Sequence, residues 1–283
     1  MMIEINQKPT LERELAAAAF GNHPQTWPLP ATSAPRDRWL RAVAAGGQGR
    51  YASAYHDLAH VRRDASAGRW LSLAHSAHGS FLRQLGWHGL ARRWDGRALA
   101  LAGDDIEARS DALSGLAADA LGIGRFEVAA TLLTRLGQLE PDALDAAAAT
   151  DGAGAGRTAV RRHWVSAELA MVTGDGSTAV RHAREALERA EALPSVRHRV
   201  KSAVVLAAAL CAAGDTEAAR VVGTRALAES TSYGLIPLRW ASACLLIDLG
   251  TVTVDPQGVR ELTEIRDICA AQVSRNGGIW RFG

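Results

Sequence analysis

The strongest constraint on this chain is a spacing that it repeats. In the stretch from Leu206 to Ala219, Gly214 stands five residues before Ala219, and another small residue, Ala207, stands seven before the glycine. The same spacing returns in Ala42/Gly49/Ala54, Gly79/Gly86/Ala91, Ala117/Gly124/Ala129 and Ala167/Gly174/Ala179, and its first half in Ala243/Gly250. By subtraction the glycines lie 37, 38, 50, 40 and 36 residues apart, the period of a repeated helical hairpin. Each glycine is expected to end a helix in the left-handed conformation, where a Cβ would be penalised. The small residues on either side would then mark the crossing of two helices that approach closely.

Two of these units carry an aromatic as well, in Gly49-Arg50-Tyr51-Ala52-Ser53-Ala54 and Gly124-Arg125-Phe126-Glu127-Val128-Ala129. A later small position recurs as Ala98, Ala186 and Ala226, and a closing proline as Pro141. The series resembles the tetratricopeptide repeat (TPR), with Gly176 and Thr216 replacing the aromatic in the fourth and fifth repeats. The resemblance covers residues 36 to 275. It implies an all-α, right-handed α-solenoid of about six hairpins with a C-terminal capping helix.

Composition fits such a chain. Hydrophobic residues make up 48% of 283 but aromatics only 5%, and alanine fills about a fifth, so helices must approach closely to bury area. The formal net charge is +2, with Lys8 and Lys201 the only lysines; the basic residues are spread and matched by 30 acids, which argues against a nucleic-acid partner. Cys211, Cys244 and Cys269 lack metal spacing and fall on apolar helical faces, which predicts reduced core thiols of a cytoplasmic protein. No run reaches 18 apolar residues and no signal pattern opens the chain, so no membrane association is expected.

Residues 1–35 read as an N-terminal helix, capped by Thr10 and ending at Phe20, followed by an arm containing Pro24, Pro28, Pro30 and Pro35. Trp27 in that arm predicts that it folds back on the helices. Repeats one to three occupy 36–141 and end at Pro141. A Gly/Ala-rich stretch over 142–157, centred on Thr150 to Gly156, reads as a hinge open to proteolysis. Repeats four to six and a capping helix begun by Asp255 and Pro256 occupy 158–275, leaving a tail over 276–283.

Few residues offer chemistry. His56 and His60 share a helical face at the spacing of a zinc pair, but no third ligand is identifiable, although His75, His78 and His88 follow; no metal is expected. Gly152 to Gly156 with Arg157 and Thr158 imitates a phosphate loop without its lysine, spacing or strand. Only weak anion capture at that helix start, by Arg157, Arg161 and Arg162, is left. No nucleophile is identifiable and no cofactor is expected, so the chain is read as non-catalytic.

The TPR resemblance places a concave groove along the first helix of each repeat, thirteen, ten, six and three residues before the turn glycine. These offsets select Arg36 and Trp39, Ser76 and Arg83, Ser114, then Arg161, Trp164 and Glu168, Lys201, and Trp240 as a partner-binding surface. Tryptophan and arginine are the types that anchor interfaces, although the tryptophans could equally fill a core that alanine leaves thin. Trp39 and Val43 stand where the chaperone-binding members of the family carry Lys and Asn, so that function is not implied. The expected function is a scaffold or adaptor for a protein or peptide partner. The alternative is a ligand- or peptide-sensing regulator, since similar repeats form sensor regions of some bacterial transcriptional regulators. A groove lined with hydrophobic and basic residues favours the first, and a closed, ring-like curl with an internal cavity the second.

Overall fold

The protein was analysed as a computed structural model, which describes residues 8–64, 68–149, 153–250 and 256–281. These form thirteen helices and, among the described residues, no strand: α1 (Lys8–Phe20), α2 (Pro35–Gly47), α3 (Tyr51–Arg63), α4 (Arg69–Gln84), α5 (His88–Leu101), α6 (Ile106–Gly122), α7 (Phe126–Ala149), α8 (Ala153–Val172), α9 (Gly176–Glu191), α10 (Val196–Ala212), α11 (Thr216–Ser232), α12 (Ile236–Gly250) and α13 (Pro256–Arg275). Each helix from α2 onward packs on its chain neighbours. In addition α2, α4, α6, α8, α10 and α12 contact one another in succession, forming an inner row.

The repeated spacing does what its chemistry demands. Gly49, Gly86, Gly124, Gly174 and Gly214 all have positive φ, between 74° and 87°. The flanking alanines Ala42, Ala54, Ala91, Ala117, Ala129, Ala167, Ala179, Ala207, Ala219 and Ala243 are each 0% exposed. Asp175 and Asp215, directly after two of the turn glycines, accept from the backbone N–H of Thr178 (3.0 Å) and Ala218 (3.1 Å) and so start the next helix.

The ends of the chain are folded back. α1 contacts both α2 and α10, joining the first hairpin to the fifth. The proline arm is fastened by Gln48, whose Nε2 donates to the carbonyls of Pro24 (2.8 Å) and Thr26 (2.9 Å), and Arg50 lies 4.2 Å from the centre of the Trp27 ring. At the other end the segment after α13 docks on the first two hairpins. Ala52 N donates to Asn276 O (2.8 Å), Arg281 N to Leu85 O (2.9 Å) and Trp87 Nε1 to Ile279 O (2.7 Å).

Several expectations need correction. Thr10 lies inside α1, which begins two residues earlier, and is not its cap. α7 does not stop at Pro141 but continues to Ala149, and α8 begins at Ala153, so Gly154 and Gly156 are helical. The centre of the expected hinge, 150–152, and Asp255 lie outside the described residues. Of the cysteines only Cys269 is buried; Cys211 is exposed, because its position faces away from the neighbouring hairpins. No helix among the described residues is long and apolar enough to cross a membrane.

Ala207 faces Gly223 of α11, where an added Cβ would stand 3.8 Å from the Ala207 Cβ. Ala207→Leu is therefore expected to overpack the α10–α11 crossing and lower stability by roughly 1–3 kcal/mol. A thermal melt that does not shift would show that the crossing has room.

Candidate functional site

The inner row of helices, with α5 beside it, carries a buried polar cluster. Arg83 of α4 pairs with Asp95 of α5 and, at 3.0 Å, with Asp119 of α6; both carboxylates are 0% exposed, and Ser76 Oγ donates to Asp95 at 2.9 Å. Arg157 of α8 grips Asp111 of α6 with two nitrogens (2.9 and 2.7 Å) and also reaches Glu107 (2.7 Å). Arg161, one turn further along α8, pairs with the same Asp111. A planar guanidinium suits such forked contacts, which is why arginine rather than lysine can be held here.

The electrostatics follow from who shares with whom. Burial alone would raise Asp111, but Arg157 and Arg161 outweigh it and hold the carboxyl below its ordinary range. Asp95 and Asp119 have one arginine between them. Burial, which Arg83 only partly offsets, raises both and pushes Asp119 up to about 7, so the pair tends to hold a proton.

Arg197 of α10 completes the cluster and differs from the rest. Burial, then its like-charged neighbours Arg157 and Arg161, push its guanidinium down to about 10. Among the described residues no carboxylate lies within ion-pair distance of it; it donates to the Val43 carbonyl at 3.5 Å. Its guanidinium and that of Arg157 lie 5.5 and 5.2 Å from the centre of the Phe20 ring, so the last residue of α1 stands between them. Phe20 also meets Trp39 (5.4 Å) and His198 (6.0 Å). Around this region Arg83 Nη2, His88 Nδ1, Ser110 Oγ, Ser114 Oγ and Asp119 Oδ2 are buried with no hydrogen-bond partner among the described residues.

The residues selected by the TPR offsets are distributed unevenly about this cluster. Arg83, Ser76, Ser114 and Arg161 belong to it. Trp39 is buried between Phe20 and Trp70 and donates to the Leu73 carbonyl at 3.2 Å. Arg36 pairs outward with Glu12 of α1. Trp164, Glu168 and Lys201 do gather, with Lys201 3.5 Å from Glu168 and 5.8 Å from the Trp164 ring centre. Trp164, however, donates to Ser202 Oγ (2.8 Å) and stacks on His198, so its polar edge is already used. Trp240 packs on Trp280 of the docked tail. Asp95, Asp111, Asp119, Arg197 and Phe20 were not selected by the sequence reading; the one signal was acids such as Asp111 and Asp119 set among small and apolar residues of α6. Weak anion capture at a helix start does not hold either, since Arg157 and Arg161 lie one to two turns inside α8 and face Asp111.

Two expected outcomes test this account. Trp164→Ala should lower stability by about 3 kcal/mol, because the ring fills space between α8 and α10; unchanged unfolding in urea would return Trp164 to a surface role. Asp119 has its ordinary value of 3.8 raised to about 7 on folding, so between those pH values the folded chain keeps a proton that the unfolded chain has released. Stability should therefore fall as pH rises from about 4 to 7, relative to Asp119→Asn, which cannot titrate. Parallel pH dependences of the two proteins would show that Asp119 ionises normally.

No family model matches this sequence, and no curated protein is significantly similar to it.

Proposed function

We propose that the chain is a right-handed α-solenoid of six TPR-like hairpins, closed by α13 and its tail, and that it is a non-catalytic, cytoplasmic ligand-sensing regulator. The ligand is an anion, carried by a small molecule or an acidic peptide, received by the inner arginine cluster. Arg197 is the observation that supports this most. A half-buried guanidinium with two like-charged neighbours and, among the described residues, no carboxylate at ion-pair distance is an electrostatic cost that the contacts around it do not offset. The orphaned atoms Arg83 Nη2, Ser110 Oγ and Ser114 Oγ on α4 and α6 add donors to the same interior. Phe20 lies against Arg157 and Arg197, so displacement of the end of α1 would link occupancy to a change at the surface.

The scaffold reading, with a protein partner in the groove, has less support because the chain's own α1 packs on α2 and α10 of the inner row and its tail packs on Trp240 of α12. Its best remaining support is the set of exposed apolar side chains at successive turns, Ile123, Phe126 and Val128, then Val172. Nothing in either reading requires nucleic acid, membrane or a cofactor.

Melting of the full-length protein in increasing inorganic phosphate or citrate, at matched ionic strength, separates these readings. A saturable stabilisation is expected with at least one anion, about 2.7 kcal/mol at a hundredfold its Kd. It should be absent in Arg197→Met. No saturable shift, or the same shift in the variant, would remove the interior site and leave the scaffold reading.

A further inference from the structure

A different constellation lies on the other side of α8. His163 is two residues past Arg161, about 200° round the helix, and so faces α9 instead of the interior. There it meets His182 and Glu185, which are one turn apart on α9. His163 Nδ1 lies 3.2 Å from His182 Nδ1 and 3.1 Å from Glu185 Oε2, and His182 Nδ1 is 3.9 Å from that oxygen. All three atoms fall within 4.8 Å of one another, the one such trio of His, Cys, Asp or Glu among the described residues.

The triangle has the size of one face of a metal polyhedron. A single point lies about 2.0 Å from all three atoms, and zinc binds imidazole nitrogen and carboxylate oxygen at about 2.0–2.2 Å. We propose that His163, His182 and Glu185 form a binding site for zinc or a similar borderline divalent ion, clamping α8 to α9.

Three further observations support the site. Burial, then Arg162, pushes the His163 imidazole down to about 4, and burial lowers His182 as well, so both rings are neutral near pH 7; for His182 to ligate through Nδ1, its Nε2 gives up the contact it accepts from Arg181 Nη2 at 3.4 Å and takes the proton. Arg181 Nη1 donates to Glu185 Oε1 at 3.3 Å, which leaves Oε2 turned toward the rings, as an outer-shell partner does for a ligating carboxylate. The site is also graded in exposure: the His163 side chain is 4% exposed and that of Glu185 38%, so an ion can enter from the α9 side and keep a water or exogenous ligand there. The cations Arg162, Arg181 and Arg189 face the same histidines and oppose any positive ion there, so an ion is held only by its direct bonds to the three ligands. A hard ion such as magnesium is therefore not expected. The pair that sequence singled out, His56 and His60, has its rings 4.6 Å apart and gains no third ligand among the described residues.

The test is a zinc titration of the full-length protein, freed of metal, against a chromophoric chelator, with cobalt(II) absorption as a second readout. One equivalent of zinc and a tetrahedral-type cobalt spectrum are expected. His182→Ala and Glu185→Gln, both on the accessible side, should each weaken zinc by about tenfold or more and abolish the cobalt spectrum, with the helical circular dichroism retained. A His56→Ala/His60→Ala double variant should bind as the wild type does. Absence of stoichiometric zinc, or affinity unchanged by both His182→Ala and Glu185→Gln, overturns the proposal; loss in the His56/His60 variant instead would move the metal to α3. Neither outcome depends on the interior arginine cluster.

Discussion

Close approach of helices across residues without bulk is the constraint on which this structure depends. Alanine buries little area, so hairpins built on it hold together only where backbones nearly touch. Gly79 shows how far the requirement reaches. It takes the small-residue place of the second repeat, and a Cβ there, or at Gly115 of α6, would run into the Asp95 carboxylate. The missing side chains therefore do more than let α4, α5 and α6 come together. They leave the volume into which a buried carboxylate, its serine donor Ser76 and its partner Arg83 fit. The spacing that makes the repeat and the chemistry of the interior share the same atoms.

That interior is costly to maintain. Burying ion pairs recovers little net stability, whereas losing one partner leaves an uncompensated charge worth about 3–5 kcal/mol. Such a network is poor as a source of stability and good at fixing one arrangement. Arg157 joins α8 to α6 through Asp111 and Glu107, and Arg83 joins α4, α5 and α6 through Asp95 and Asp119. Alanine crossings tolerate small slips between neighbouring hairpins; forked guanidinium contacts, which need both distance and direction, do not. The inner row is thus registered by charge and only its spacing is set by alanine.

How much of this the sequence disclosed follows from the range of each interaction. Turn glycines and zero-exposure alanines are decided within about ten residues, so Gly174 and Ala179 could be read directly. The helix past Pro141 could not, because a proline inside a helix is a propensity cost that surrounding contacts can override. The interior was harder still. The offsets select Arg83 and Arg161, which pair with carboxylates of α5 and α6, yet they treat each repeat as facing open space. What fills that space comes from far away in the chain: Phe20 beside Arg197, Arg197 on Val43, and Ile279 under Trp87. An arginine reads as solvent-facing until its acids are known, and Asp111 is 46 residues from Arg157.

The helix α8 is where these threads meet. Its inner face carries Arg157 and Arg161, and its opposite face carries His163, two residues on from Arg161. A packed helix moves as a body, so if the proposed anion displaced α8 itself and not only the end of α1, it would also shift His163 relative to α9. The trio needs His163 within a few tenths of an ångström of its place, because the spread of metal-ligand distances is about 0.2 Å. A metal on α9 and an anion in the interior would therefore be coupled through one rigid element. By linkage, whatever factor the metal imposes on anion affinity the anion imposes on the metal. If α8 keeps its position when the end of α1 is displaced, the two sites are uncoupled; if it moves, the sign is set by whether the move brings His163 toward His182 and Glu185 or away from them.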